Sequence, residues 1–505
     1  MFIRRTFWQL LFLYFLFFIL GFFFESWLRY GVFAVILGVL FYFVKFDLKF
    51  KGNVSKYYVL IPLILLLLFR VMPYVGNDIA LGYDPGIYKD VFEVNSESIS
   101  EGKLSEQYWA KVSYPVVLTY VVHPLMLFGF SSEFLVSLGL IIFELMLVLA
   151  LFVVVREFFD SETALYSSVF YSLSVVAFHT FYMNYYKNII GIFLMFIAFY
   201  LFKKQRYFLG CLVGGVLGGL HRPSFAIFGA SFFFYWLFLK RSWREFVSGL
   251  VIVFLALLFY LDRFSQMILS IVGDTAQSLV GDTGTGTFFS YSQSFAFSYL
   301  FLPFALFGII YSFRKRNWNF FLFWFVVNLV IVLFELFFYK RMIIFLNVVF
   351  LIYAGLGLKL ILDNFKFRKV FVLVIFVLMF VSMFLYVKDV RPLVSEAEFE
   401  TIVWISENVS SEALVFSMDK SYSPWLKGYS GHRVVAPGLF DENVWDKSEW
   451  NSFWAGNFSM ISDYSGEKYV FVGRVNPFKV SSMISDECFE QVYVNVDSRV
   501  LKFVC

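Results

Sequence analysis

Charge is scarce in this sequence. Asp, Glu, Lys and Arg together supply 15% of the 505 residues, against about a quarter in a soluble domain. That shortage excludes an ordinary water-soluble enzyme. Cysteine is nearly absent as well. Cys211, Cys488 and Cys505 form no Cys-x-x-Cys pair, so no zinc or iron–sulfur site can be read from them. The period-two alternation of an outer-membrane barrel is missing. So is a small-residue cleavage site after the first apolar stretch. That stretch follows Arg4-Arg5, runs into Glu25 and Arg29, and reads as a first span rather than a removable leader. Aromatic residues are not lacking, which excludes a disordered polymer.

What is present is apolar. Hydrophobic residues make up 60% of the chain, 73 of them are Phe, and the mean hydropathy is +0.76. A membrane span needs about 20 apolar residues, and such stretches recur between short charged punctuation. The expected fold class is a polytopic α-helical membrane protein with about 13 transmembrane helices. The expected spans are 7–24, 30–45, 57–75, 133–155, 163–181, 189–202, 207–221, 224–239, 246–261, 298–313, 318–338, 342–361 and 370–387. Lys/Arg bias orients them. Arg4-Arg5, Lys45 to Lys56, Lys203 to Arg206, Lys240-Arg241, Arg314 to Arg316 and Lys366 to Lys369 all fall on one side if the N-terminus is cytoplasmic. This holds when 114–130 is an interfacial or re-entrant helix, as Pro115 and Pro124 suggest. The segments 76–132, 262–297 and 388–505 then lie outside.

The net charge of +4 hides an asymmetry. Residues 388–505 carry 17 acids and 11 bases, whereas the rest carries 20 acids and 30 bases. The tail has the composition of a small extracytoplasmic α/β domain. A helix is expected over 395–408 and strands over Ala413–Ser417, Arg433–Ala436, Tyr469–Val472, Phe489–Asn495 and Ser498–Val504. Cys488 and Cys505 stand at the open end of the last hairpin. A disulfide and two free thiols both fit that position. Asn408-Val409-Ser410 and Asn457-Phe458-Ser459 are glycosylation sequons. His432 and Arg433 read as surface residues. The loop after the third span holds Gly76-Asn77-Asp78 and Tyr83-Asp84-Pro85-Gly86-Ile87-Tyr88. It leads into an amphipathic surface helix with Asp90, Glu93, Glu97 and Glu101 opposite Ile87, Val91 and Val94. The segment 262–297, with Gly273-Asp274-Thr275 and Gly281 to Gly286, reads as a loop.

Ionisable groups at membrane depth are costly and each needs a reason. Several collect at the outer ends of spans: Asp78 and Asp84; His179 and Lys187; His221-Arg222-Pro223; and Glu335, Lys340 and Arg341. Carboxylates beside fixed cations suit a ligand with a phosphate and a hydroxyl to be deprotonated. Each has a structural reading too. Asp84-Pro85 is a common helix start, Arg222 and Arg341 can snorkel, and His179 can be a packing histidine. Glu144, deep in the fourth span, calls for a partner within the bundle that the sequence does not identify.

The layout resembles the GT-C superfamily of polyprenyl-phosphate-dependent membrane glycosyltransferases, which includes protein O-mannosyltransferases, aminoarabinose transferases and oligosaccharyltransferases. Tyr83 to Tyr88 is similar to the first-loop motif of prokaryotic members. Ser113-Tyr114-Pro115, His221-Arg222-Pro223-Ser224, Tyr339-Lys340-Arg341-Met342, Trp404 to Asn408 and Gly431 to Gly438 fit as well. The resemblance implies a GT-C-like membrane domain at 57–387, with outer loop 76–132, and an extracytoplasmic domain at 388–505. Residues 1–56 are an extra N-terminal hairpin. The Trp-Trp-Asp-Tyr-Gly motif of oligosaccharyltransferases is absent, which argues against transfer of a whole glycan to asparagine. The first loop also lacks the paired Asp-Glu of some mannosyltransferases.

The resemblance further implies an inverting transfer from a polyprenyl (dolichyl) phosphate sugar to the hydroxyl of a protein, glycolipid or glycan acceptor, at the outer face of the cell membrane. Asp84 is then the base, and Arg222, Lys340 and Arg341 bind the donor phosphate. Asp78, Tyr88, His179, Lys187, His221 and Glu335 are further candidate contacts to donor or acceptor. No metal is required, although the Asp78–Asp84 pair leaves room for a divalent cation. No nucleic acid is expected as a partner. The competing class is a lipid or glycan transporter or flippase, which would string its charges along a path between faces rather than gather them at one.

Overall fold

A computed structural model describes residues 56–100, 116–260, 288–336, 339–363, 368–438, 443–476 and 480–505. The two expected N-terminal spans, Ser113 to Pro115, the Gly-Asp motifs of 273–286 and the side chains of Lys366 to Lys369 lie outside the described residues.

The membrane part is helical. It comprises α1 (Leu60–Val71), α2 (Pro85–Ser100), α3 (Val116–Leu127), α4 (Ser132–Val136), α5 (Leu138–Phe158), α6 (Ser161–Ser172), α7 (Val175–Tyr182) and α8 (Tyr186–Lys203). It continues with α9 (Tyr207–Leu220), α10 (Arg222–Tyr235), α11 (Trp243–Leu258), α12 (Tyr291–Ser298), α13 (Leu302–Arg314), α14 (Phe320–Leu333), α15 (Tyr339–Leu362) and α16 (Arg368–Val387). Among the described residues, six helical stretches are long and apolar enough to cross a bilayer: Tyr57–Tyr74, α5, α8, Arg222–Lys240, α15 and Val370–Val387. Two bent pairs, α6 with α7 (53°) and α12 with α13 (90°), bring the number to as many as eight if each pair is one broken span. The protein is a multi-pass membrane protein.

Two expectations change in detail, and the expected non-crossing helix of 114–130 is present as a short helix. The stretch 163–181 is a broken pair rather than one straight helix. Residues 291–298 are helical rather than loop, started by Ser290, whose side chain and Gln293 form a reciprocal cap. The segment 114–130 contains the 12-residue α3 with Pro124 inside it. At 1.5 Å per residue it is about 18 Å long, too short to cross.

Glycine sets several of the helix contacts. A Cβ on Gly357 would overlap the Phe304 carbonyl, and one on Gly308 would overlap that of Tyr353. The backbones of α13 and α15 therefore meet directly, the small-residue packing that stands in for the hydrophobic effect inside lipid. The partner of Glu144 is Arg70. Its Nε donates to Glu144 Oε2 at 2.5 Å and its Nη2 to Oε1 at 3.1 Å; the Tyr171 hydroxyl also donates to Oε1, at 3.1 Å. Both charged side chains are fully buried. The Arg70 guanidinium also lies 5.0 Å from the Phe178 ring and 5.4 Å from that of Phe181. One network thus joins α1, α5, α6 and α7.

The C-terminal part is a small sheet domain. It contains α17 (Glu396–Asn408), β1 (Leu414–Ser417), α18 (Ser423–Tyr429), β2 (Arg433–Val435), α19 (Lys447–Trp454), β3 (Lys468–Val472), α20 (Val480–Ile484), β4 (Phe489–Val494) and β5 (Arg499–Phe503). The strand order is β2-β1-β3-β5-β4. β1 runs parallel to both neighbours, with Leu414 opposite Arg433 and Lys468. β5 is antiparallel to β3 and β4. All four residues of β1 are buried, as befits a strand covered on both faces. Cys488 and Cys505 are joined in a disulfide across the end of the β4–β5 hairpin. His432 is not on the surface. It is buried, with Nδ1 2.6 Å from the Ser430 carbonyl and Nε2 3.2 Å from that of Val409, a tether between the chain before β1 and the chain before β2. Arg433 is exposed.

Removing one partner of a buried pair strands the other charge. Arg70→Met is therefore expected to lower stability by about 3–5 kcal/mol. The double variant Arg70→Met/Glu144→Leu should recover most of that. Chemical unfolding of the detergent-solubilised protein, followed by tryptophan fluorescence, measures both.

Candidate active site

The site is built on the segment that leaves α1. After a turn at Met72–Tyr74 the chain is held by Asn77, whose side chain donates to the Ile79 carbonyl (2.9 Å) and accepts from the Ile79 N–H (3.1 Å). Gly82 follows with φ +85°, and a Cβ there would overlap the Tyr182 carbonyl. The loop is thus pressed against the end of α7, and only glycine fits that conformation and that space. Asp84 comes next, in the helix-start position its sequence suggests. Its carbonyl accepts the Tyr88 N–H at 3.1 Å, and Pro85 opens α2.

On its other side α2 meets the sheet domain. A Cβ on Gly86 would overlap the Pro424 carbonyl, and one on Gly428 would overlap the Gly86 carbonyl. Lys89 adds to this contact: its ammonium lies 2.8 Å from Glu93, 3.6 Å from Glu133 and 5.1 Å from the Tyr429 ring. Asp84 is held from two sides as a result.

Two cations from distant parts of the sequence act on this carboxylate, and a third stands beside them. The charges acting most strongly on Asp84 are those of Arg341 and Lys187, and Lys187 in turn feels Arg341 and Arg222. Local structure explains each position. Asn184 adopts the left-handed conformation (φ +58°) and turns the chain from α7 into α8, placing Lys187 in the first turn of α8. Tyr185 lies beneath the Arg341 guanidinium, 5.0 Å from it. Gly191, one turn past Lys187, makes room for Ser224, whose hydroxyl is 2.7 Å from His221 Nδ1. That close approach of α8 and α10 sets Arg222 beside Lys187. The buried His221 ring, which faces Phe345, lies within the field of Lys187, Arg341 and Arg222. Asp84, Lys187, Arg222 and Arg341 all keep some accessible surface. The cluster is therefore not sealed within the core.

Burial lifts the Asp84 carboxyl to about 6, the cations of Arg341 and Lys187 opposing that rise. Tyr83 is raised as well, chiefly by burial and then by the negative charges of Asp84 and Asp419. Asp419 had not been singled out from sequence. It lies just past the carboxyl end of β1, the end of a parallel strand where open α/β sheets bind ligands, and that rule was the signal available.

The other sequence candidates sit as follows. Tyr88 is buried against Tyr186 and Phe92, and its hydroxyl accepts the Lys187 N–H. His179 stacks on Phe289 (4.0 Å) and shares a 3.0 Å hydrogen bond with the Tyr386 hydroxyl, which is a packing environment. Asp78 is exposed. Glu335, exposed, accepts from the Tyr291 hydroxyl at 3.5 Å, and Lys340 lies 6.0 Å from the Tyr339 ring. Neighbouring residues on a helix point about 100° apart, which is why Arg341 faces Asp84 and Lys340 does not share its direction. Among the described residues no group of three or more His, Cys, Asp or Glu is placed to hold a metal ion. The field at Asp84 is already made by cations.

Residues 114–264 match the family described as dolichyl-phosphate-mannose-protein mannosyltransferase. A search of curated protein sequences finds no match. In three dimensions the chain is similar to ArnT from Cupriavidus metallidurans bound to undecaprenyl phosphate. The TM-score is 0.58 at 12% identity, over 88% of this chain and 97% of that one. It is similar too to the oligosaccharyltransferase AglB from Archaeoglobus fulgidus in complex with an inhibitory peptide and a dolichol-phosphate (0.56, 14%, covering 83% and 70%). A third similar structure is the arabinofuranosyltransferase AftD from Mycobacteria (0.58, 10%, covering 90% and 40%). The chain has the GT-C glycosyltransferase fold. Within that GT-C frame, Lys187, His221 and Arg222 lie in the family-matched stretch. Asp84, Arg341 and Asp419 lie outside it and are joined to it by the fold.

The Gly86–Gly428 contact admits no side chain. Gly428→Val is expected to weaken the docking of α18 on α2 by about 1–3 kcal/mol. Hydrogen exchange should rise at 84–92 and 423–429 while β1, β3 and β5 stay protected.

Proposed function

We propose that this protein transfers a sugar from a polyprenyl-phosphate donor to an acceptor hydroxyl. The observation that carries the reading is the convergence of one partly accessible carboxylate, Asp84, with Lys187, Arg222 and Arg341 at one end of the bundle. The fold and the family-matched stretch support the same donor class, since the similar ArnT and AglB structures hold undecaprenyl phosphate and dolichol-phosphate respectively.

The step is a single displacement. The acceptor oxygen forms a bond to the anomeric carbon as the bond from that carbon to the phosphate oxygen breaks. The acceptor proton passes to the Asp84 carboxylate. The electron pair of the broken bond leaves on polyprenyl phosphate, whose growing charge is met by Arg341, Arg222 and Lys187. These cations are fixed where charge appears and need no reorganisation. Attack from the face opposite the phosphate inverts the anomeric centre. The acceptor, a hydroxyl of a protein, glycolipid or glycan, enters between Asp84 and the sheet domain, where Tyr83 feels both Asp84 and Asp419. The donor has one phosphate and the cluster already supplies cations, so no metal is assigned; transfer should persist in EDTA. We place the site and the sheet domain on the extracytoplasmic face, in line with the Lys/Arg bias.

A base must be unprotonated. With Asp84 at about 6, transfer should fall as pH drops through about 6 and level off above it. Asp84→Asn, at normal membrane levels, should lower transfer of radiolabelled sugar from a polyprenyl-phosphate donor by about 10²–10⁴-fold; full activity would remove Asp84 as base. Arg341→Met takes away a charge that lowers the Asp84 carboxyl. It should therefore move the acidic limb to higher pH and raise the KM for donor more than that for acceptor. An unmoved limb would separate Arg341 from the site.

A further inference from the structure

The side of α10 that packs along α11 carries a second feature, distinct from the Asp84 cluster. A cavity of about 370 Å³ runs along α10 and α11, lined by Phe225, Phe228, Phe232, Trp236, Phe246 and Val253. Nearly all of its wall is apolar, with one exception. Glu245, in the first turn of α11, lines it and is 6% exposed. Its Oε1 accepts from the Tyr207 hydroxyl at 3.0 Å, whereas the buried Oε2 has no hydrogen-bond partner among the described residues. A buried acceptor left unmade costs free energy, and burying a carboxyl in an apolar wall makes that cost larger.

Two glycines give the groove its width. Gly229 and Gly249 are helix-interior residues on its walls, and a Cβ on Gly229 would meet nothing within 4 Å among the described residues. Glycine inside a helix costs about 1 kcal/mol relative to alanine. Here it makes no close backbone contact that would explain it, unlike Gly308 and Gly357.

Length and charge indicate the occupant. From Phe225 to Trp236 the helix rises about 16 Å, roughly half of a 30 Å hydrocarbon core. Arg222, one turn before Phe225, marks the Asp84 end of the helix, whereas Trp236 and Glu245 lie toward the other end, so the groove runs along α10 and has its polar mouth at the end remote from Asp84. Its mouth has Trp236 and an exposed Trp243, the residues that settle at a membrane interface. Lys240, Arg241 and Arg244 are exposed around it, a set that suits a lipid phosphate. The acidic oxygen lies inside and the basic side chains outside. A short headgroup that folds back over its phosphate, as ethanolamine can, meets both: the phosphate stays at the basic side chains and the donor turns inward to the carboxylate.

We propose that this groove binds one membrane lipid of the leaflet remote from Asp84. Its chain lies against the aromatic wall, its phosphate lies at Lys240, Arg241 and Arg244, and an N–H or O–H of its headgroup donates to Glu245 Oε2. The site is independent of sugar transfer.

The test uses the full chain in nanodiscs of equal parts dioleoyl phosphatidylethanolamine and dioleoyl phosphatidylcholine, followed by release and native mass spectrometry. Ethanolamine has N–H donors and choline has none. One retained phosphatidylethanolamine, favoured about tenfold over phosphatidylcholine, is the expected result, the ratio that one hydrogen bond to a charged group gives. Glu245→Leu should abolish the preference. Gly229→Phe should fill the groove and abolish retention, with no polar group altered. A photo-crosslinking residue at position 229 should yield a lipid adduct in membranes. Equal retention of the two lipids, retention unchanged in Gly229→Phe, displacement by added undecaprenyl phosphate, or an adduct to protein at 229 would each overturn the proposal.

Discussion

Gly86 and Gly428 allow two helices from different parts of the chain to meet backbone to backbone. The position of Asp84 depends on that contact. α2 begins at the residue after Asp84, and a helix start is a fraying end unless something holds it. The sheet domain holds it here from one side, and Gly82 against the end of α7 holds it from the other. Lys89, paired with Glu93 and Glu133 and set over Tyr429, fixes the rotation of α2 about its axis. The C-terminal domain is therefore more than an appendage above the bundle. Without it the loop that presents Asp84 would be supported on one side only.

The electrostatics of the cluster follow from this placement. Burial alone would favour a protonated Asp84, and the cations alone would favour a fully ionised one. Together they hold the carboxyl near 6, where an acid can both accept and give up a proton near neutral pH. The cations come from three different helix starts, at α8, α10 and α15. Each is fixed by its own local device: a left-handed Asn184, an extended His221 before Pro223, and the Tyr185 ring under Arg341.

Much of the frame was legible from the sequence because bilayers impose length and charge rules on a chain. The apolar stretches, the amphipathic α2, the strands of the sheet domain and the collection of charges at one end of the spans all follow from hydropathy and period. Asp84, Arg222 and Arg341 stood out because they are costly where they are. The pairing of Glu144 with Arg70 was not legible, since 74 residues separate them and nothing local links α1 to α5. The bend between α6 and α7 was hidden because no proline or glycine marks it: Ser174, which caps α7, is one of several serines in a long apolar stretch. Lys340 and Arg341 are equivalent in composition, and only helix rotation distinguishes them. Asp419 was hidden for another reason: its place near Tyr83 is created by the docking of a separate domain, which no pattern within the strand encodes.

Two groups of ionised residues inside one bundle raise the question of what separates a structural charge from a working one. Arg70 and Glu144 are both fully buried, share two hydrogen bonds, and are further enclosed by Tyr171, Phe178 and Phe181. No surface is left there for a substrate, so the pair acts on the fold, fixing the angle at which α1 delivers the loop to Asp84. Asp84, Lys187, Arg222 and Arg341 are each partly accessible, and they act on one another through their charges. Access, rather than the mere presence of charge in the membrane, is what separates this cluster from the sealed Arg70–Glu144 pair, because only a group that a second molecule can reach can exchange a proton or a hydrogen bond with it.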